Sequence, residues 1–385
     1  MSEYSPPTLP LCKLLESNAA IARKVLIIRS GPLNMVRDII DTLQQVCPDA
    51  QITQFCHEGQ QLDFCPNLIY NHPGYFRLDK TDTAALVGQK FDLTVIPYAT
   101  DRRLHPEYHE VDKIANGSGT NKVVAVFWDH SALLLDEKLL ALKEREVVMP
   151  YLKSKNSAIE EISQFTGETP ETIEDRCHLA AARGDKLWSE LQPSSDEEIE
   201  RFYTATDFYI YALMKECDWR GARSDTVETI ADELPAGARV LDYGAGCGAV
   251  GTAMARRGFR VTHLDLPGQL IEFARSRYEA RKLPVTVLPA EQKYPLGSMY
   301  DAIICTHVLE HVPDPIDKLR HMAAHLAPGG TMFLAIPFEA NPVGGEHPGM
   351  HLNRLTPTGY KALLGELGLN LVRRTGDMDI LRSGG

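Results

Sequence analysis

Arg239 to Gly251 reads RVLDYGAGCGAVG, an apolar strand that runs without a linker into four glycines and then into a helix-like stretch. Backbone N–H groups and the positive end of the helix are presented there where glycines let a ligand come close, so a nucleotide-like cofactor is implied. Two spacings overlap in the stretch. Gly244, Gly246 and Gly248 give GxGxG, while Gly246, Gly248 and Gly251 give the GxGxxG of dinucleotide folds. Both expect an acid at the end of the next strand to take the ribose hydroxyls, and Asp265 in VTHLDL stands in that place. Asp242, two residues ahead of the first glycine, suits a cationic, amino-acid-bearing ligand and is unfavourable beside a pyrophosphate.

Working outward, strand and helix patterns alternate: ARVLDYG, a helix from about Ala249, FRVTHLDL, a helix from Leu270 to Arg281, VTVL, YDAIICT and TMFLAIP. That predicts an α/β sheet of at least five strands, followed by the helix PTGYKALLGELG and the strand LNLVRRT. A second alternation lies upstream. KVLIIRS, the helix-like MVRDIIDTLQQV, AQITQF, FDLTVIPYA and KVVAVFWD predict a parallel sheet of about four strands. Between the two, helical periodicity takes over. The expected organisation is therefore an amino-terminal extension (1–23), a Rossmann-like domain (24–130), a helical connector or lid (131–224) and a second Rossmann-like domain (225–385). The fold class is α/β, with two three-layer domains.

Composition narrows the function. Forty basic against 52 acidic residues leave a net charge of -12, which repels phosphate backbones and anionic membranes and disfavours nucleic acid as a partner. No window holds the ~18 uninterrupted apolar residues of a membrane span, and the start MSEYSPPTLPLCKLL has no basic region followed by an apolar one, so a cytoplasmic location is expected. The eight cysteines form no CxxC pair, which fits reduced thiols rather than a disulfide scaffold.

VLDYGAGCG, LDLP, YDAIICTHVLEHVPDP and LAPGGTMFLAIP, in that order and spacing, resemble the class I S-adenosylmethionine (SAM)-dependent methyltransferases, particularly those acting on small molecules. The resemblance spans Asp225 to about Arg382. It implies that Gly244, Ala245, Gly246 and Gly248 line the cofactor's amino-acid end, that Asp242 supports the loop, and that Asp265 with Leu266 grips the ribose. For the adenine, Glu291 in LPAEQKYP is the nearest acid, with Pro289 standing where the family often has an aspartate. The expected reaction is methyl transfer to a small molecule or saccharide, at oxygen, where alignment of the acceptor and exclusion of water are the main contributions of the protein.

HVLEH contains three side chains at i, i+3 and i+4, so on one helical turn His307, Glu310 and His311 share a face. The spacing resembles the ExxEH of metal-dependent methyltransferases such as quinone O-methyltransferases and plant small-RNA 2′-O-methyltransferases; in the latter a further histidine after the fifth strand completes the site, a place matched here by His351. His307 in place of glutamate favours zinc, manganese or iron over magnesium. A catalytic base, where the acceptor must lose a proton, is expected from the pocket rim at His311, His347 or His351. Tyr203, Tyr209 and Tyr211, on a helix just upstream, are candidates to close over the substrate.

The stretch from Lys24 to Asp129 resembles half of a heptosyltransferase-type glycosyltransferase, with Asn34 near the place of that family's catalytic aspartate. No second sheet of that family follows, so the half-domain is expected to bind an acceptor such as a saccharide or to pair subunits into a homodimer rather than to transfer sugar. Two other function classes stay open: an NAD(P)-dependent oxidoreductase using the GxGxxG overlap, and a non-catalytic nucleotide-binding scaffold.

Overall fold

The computed structural model describes residues 6–18, 22–72, 75–120, 122–221, 224–291, 296–338, 348–352 and 354–384. The chain divides into two compact units, 1–153 and 154–385, each built on a seven-stranded sheet. The expected α/β class with two three-layer sheets is the observed one.

The strands of the first unit are β1 (Leu9–Pro10), β2 (Lys24–Ile28), β3 (Gln51–His57), β4 (Asn67–Tyr70), β5 (Leu93–Pro97), β6 (Val123–Val126) and β7 (Ser131–Leu134). Their order is β1-β7-β6-β5-β2-β3-β4, with β2 to β6 parallel and β7 and β1 antiparallel. β2 is central and buried on both faces: Val25 and Ile27 join Met35 and Ile39 of helix Leu33–Val46, while Leu26 and Ile28 join Ile114 of helix His109–Gly117. A central parallel strand between two helix layers needs just such an unbroken apolar run. β1, β4 and β7 were not expected from the pattern. The first and last are too short to show alternation, and β4 is held by a side chain: Asn67 Oδ1 accepts from Leu62 N, while its Nδ2 donates to the carbonyls of Leu62 and Cys65.

In the second unit the strands are β8 (Arg239–Tyr243), β9 (Arg260–Asp265), β10 (Thr286–Pro289), β11 (Tyr300–Thr306), β12 (Leu326–Ala335), β13 (Leu369–Thr375) and β14 (Met378–Ser383). The order is β10-β9-β8-β11-β12-β14-β13. β8 to β12 run parallel, and β14 inserts antiparallel between β12 and β13. Here too the two faces carry separate cores, Leu241 and Ile303 with Leu319 and Met322 on one side, Val240 and Ile304 with Val250 and Met254 on the other. Helices precede this sheet: Pro170–Leu191, Asp196–Ala205 and Phe208–Leu213, the last continuing as a π-helical turn over Met214–Trp219. Asp196–Ala205 opens with a reciprocal Ser195–Glu198 capping box, the sequence signature of a helix start. Among the described residues no helix is long and apolar enough to cross a membrane.

Candidate functional site

The chain climbs β8 and turns sharply at Gly244. Gly244, Gly246 and Gly248 take φ of 69°, 57° and 74°, in the left-handed region that disfavours any side chain, whereas Gly251 lies within helix Ala249–Arg256. The bend is tied down by Gly244 N and Ala245 N, which both donate to Leu264 O at the end of β9, at 2.8 and 3.1 Å. A Cβ on Gly244 would land on Val308. Gly248 and Gly251 serve a different purpose. A Cβ on either would stand 2.5 Å from Tyr278 Oη, whose partner is His263 Nδ1 at 2.9 Å. The GxGxG spacing is thus the one the backbone conformation requires, and Gly251 of the GxGxxG spacing makes room for a tyrosine. Gly248, expected at the cofactor, does not line the cavity described next, because it faces Tyr278 instead.

A cavity of about 490 Å³ opens at the carboxyl ends of β8, β9, β10 and β11. The strand order reverses between β8 and β11, and crevices at such points are where open α/β sheets take their ligands. Asp242, Gly244, Ala245, Gly246, Asp265, Leu266 and Glu291 all contribute to its wall. Asp242 is only 5% exposed, whereas Glu291 lies at the open rim. Asp265 is held facing the cavity by two backbone donors, Gly246 N at 2.6 Å to Oδ2 and Leu266 N at 2.7 Å to Oδ1. Each carboxylate oxygen keeps a second lone pair for a ligand. Burial pushes the Asp265 carboxyl up to about 6, against the pull of those two donors.

The HVLEH segment is not a helical turn. After β11 the chain makes a turn in which His307 adopts φ 57°, so these side chains are placed by a turn rather than by a helix. His307 Nε2 lies 3.1 Å from Asp377 Oδ2, and its Nδ1 is 3.7 Å from the buried Glu310 Oε1. His311 Nδ1 lies 3.0 Å from Met350 O, while His351 meets the His311 ring edge-on at 4.8 Å between centroids. His307 and His311 line the cavity; Glu310 and His351 do not. Among the described residues no three His, Cys, Asp or Glu are grouped to hold a metal ion, although His307 and His311 both approach Glu310 Oε1, at 3.7 and 3.8 Å. His347 lies outside the described residues.

The sequence points to the cavity floor and, in Tyr203 and Tyr209, to part of its roof; Ile199, Leu213 and Cys217 are additions. Ile199, Tyr203, Tyr209, Leu213 and Cys217 come from the helices upstream and line the cavity. Tyr203 Oη sits 3.2 Å from both His311 Nδ1 and Met350 O. Tyr211, also a candidate, turns away: it is buried, under the Arg176 guanidinium at 3.8 Å, and donates to Glu168 Oε2 at 2.6 Å. The roof is fastened by Arg277, 2% exposed. Its guanidinium donates to Glu161 Oε2 (2.8 Å), Asp218 Oδ1 (2.7 Å) and the carbonyl of Cys247 within the glycine loop (2.6 Å). The only local signal for this arginine is its place on the helix after Asp265; its three acceptors are distant in sequence.

Residues 215–374 match the family model described as a methyltransferase domain. That match lies within the second unit, which is therefore similar to a methyltransferase domain, in keeping with its motifs. A 106-residue stretch is 45% identical to "Ubiquinone biosynthesis O-methyltransferase" of Xanthomonas campestris pv. campestris (strain B100), covering 26% of this chain and 43% of that protein. The protein of the same name from Xanthomonas axonopodis pv. citri (strain 306) is 43% identical over 108 residues, 26% of this chain and 44% of that protein. The chain thus spans less than half the length of these curated relatives. Among solved structures, a SAM-dependent methyltransferase from Aquifex aeolicus aligns with 18% identity and a TM-score of 0.35, over 40% of this chain and 88% of that one. The glycosyltransferase likeness of the first unit finds no support: the family match begins at residue 215, and Asn34 lies inside the first turn of helix Leu33–Val46.

Proposed function

We propose that this protein is a SAM-dependent methyltransferase that acts on a hydroxyl group of a small molecule. The observation that carries the reading is the cavity wall: left-handed glycines at the end of β8, and an Asp265 carboxylate fixed at the end of β9 with lone pairs to spare. These residues fit the group. Gly244 to Gly246 would hold its amino-acid end, Asp265 the ribose hydroxyls and Glu291 the adenine side. When bound, the cofactor supplies an electrophilic methyl group on a sulfonium. The "O-methyltransferase" of the relatives' name supports oxygen as the acceptor atom.

The chain's own part is to orient the acceptor and take its proton. His311 Nδ1 lies against Met350 O and its Nε2 lies 3.8 Å from Glu310 Oε1, so the His311–Glu310 pair at the cavity wall is the candidate to take that proton. Tyr203 and Tyr209 roof the acceptor and keep water from the methyl group. Of the stretch expected as a connector or lid (131–224), residues 131–153 belong to the first compact unit, and 196–219 in the second would serve as the lid.

Calorimetric titration with SAM, S-adenosylhomocysteine and NADH tests the cofactor. The two sulfur nucleotides should bind and NADH should not; binding of NADH alone would reverse the reading. With an acceptor found by screening phenols, catechols and saccharides for SAM-dependent methylation, His311→Gln should lower kcat by about 10² to 10⁴, the range of a lost general base. A kcat within about twofold of wild type would remove His311 from that role.

A further inference from the structure

The cavity holds two thiols for which methyl transfer has no use. Cys247 belongs to the glycine loop and is 2% exposed; Cys217 lies midway along the π-helical turn Met214–Trp219; both line the cavity. Their side chains are hydrogen-bonded to each other. The backbones on either side are held in place. Arg277 bridges Asp218, the neighbour of Cys217, to the carbonyl of Cys247, and Leu213 Cδ1 lies 2.7 Å from where a Cβ on Gly246 would stand. Two elements some thirty residues apart in sequence thus meet thiol to thiol at the wall assigned to the cofactor. π-helical turns inside α-helices are themselves frequent at functional sites.

We propose that Cys217 and Cys247 form a redox-modification site: a hydroperoxide converts the dithiol to a disulfide that ties the roof to the glycine loop and shuts the cofactor half of the cavity. The consequence for the cofactor rests on the function proposed above; the disulfide itself does not. The hydrogen bond to Cys217, and then burial, push the Cys247 thiol well above its usual range, so the first attack falls to the more accessible Cys217. With hydrogen peroxide, the Cys217 sulfur attacks the O–O bond, becomes a sulfenic acid and releases one water. The Cys247 sulfur then displaces that hydroxyl as a second water, and the S–S bond forms. The two thiol protons end in the waters, and two electrons pass from the sulfurs to the peroxide.

The test uses the full chain, reduced and then exposed to hydrogen peroxide. The expected result is a mass lower by two hydrogens and a peptide map that joins residue 217 to residue 247. Dithiothreitol should reverse the link, and SAM affinity should fall by about tenfold or more while the link is in place. Cys217→Ser should form no such link and should bind SAM equally before and after peroxide. No link, a link between other cysteines, or a linked protein with undiminished SAM affinity would each overturn the proposal. Reduced wild-type protein that binds no SAM, yet forms the 217–247 link, would sink the cofactor reading and leave the dithiol site standing.

Discussion

The two sheets share one plan and differ at one loop. In each, the first long parallel strand lies at the centre, the next two extend to one side, and the chain returns to the other side, so β2 and β5 in the first unit correspond to β8 and β11 in the second. At the first reversal point the loop after β2 is drawn onto its neighbour: Ser30 Oγ donates to Pro97 O at 2.8 Å, and a Cβ on Gly31 would stand 3.0 Å from that of Pro97. At the second, three left-handed glycines hold the loop off the crevice and a 490 Å³ cavity remains. Topology supplies a place for a ligand at each reversal point; in the second sheet the glycine loop keeps it open.

The largest effect should come from undoing that loop. Gly244→Ala puts a side chain at φ 69° and against Val308, a combined cost of about 2 to 4 kcal/mol, visible as a lower melting temperature together with lost SAM binding. Next is Asp265→Asn, which keeps the shape but removes the charge from the ribose contacts; SAM affinity should fall by about 1.5 to 3 kcal/mol in calorimetry, and unchanged affinity would end that assignment. A pH series sharpens the same point. With its carboxyl at about 6, Asp265 is mostly ionised at pH 7 and mostly protonated at pH 5. SAM binding should therefore weaken about tenfold as pH falls over that interval, while Asp265→Asn should show a flat profile there. The smallest effect belongs to the loop after β2. Gly31→Ala meets a tight contact with Pro97 but no left-handed backbone, so thermal unfolding should reveal a loss of about 1 kcal/mol or less.

What was legible in the sequence was local. Buried parallel strands are unbroken apolar runs, and the glycine loop with Asp242 and Asp265 lies within 24 residues of chain, so the floor of the cavity could be read directly. The roof was legible only in part: Tyr203 and Tyr209 stood out on their aromatic helix, whereas Ile199, Leu213 and Cys217 reach the cavity through helix packing that an apolar stripe does not specify. HVLEH was expected on a helical turn for a related reason. Its spacing suits a helix, but the strand before it and Pro313 after it leave no room for one, and His307 bends left-handed. Gly248 was placed at the cofactor because its true partner, Tyr278, is thirty residues away. β14 escaped notice since MDILRS is short and carries two charges, although Ile380 and Leu381 are fully buried.

That late strand also constrains synthesis. β14 is flanked on one side by β12, more than forty residues earlier, and on the other by β13, immediately before it. As the chain leaves the ribosome, β8 to β12 can align in order, but β12 keeps one open edge until residue 383 has emerged. A nascent chain of which only the part up to some point between 336 and 378 has emerged would present that unpaired edge to its neighbours on the polysome, the kind of surface that recruits chaperones or seeds intermolecular pairing.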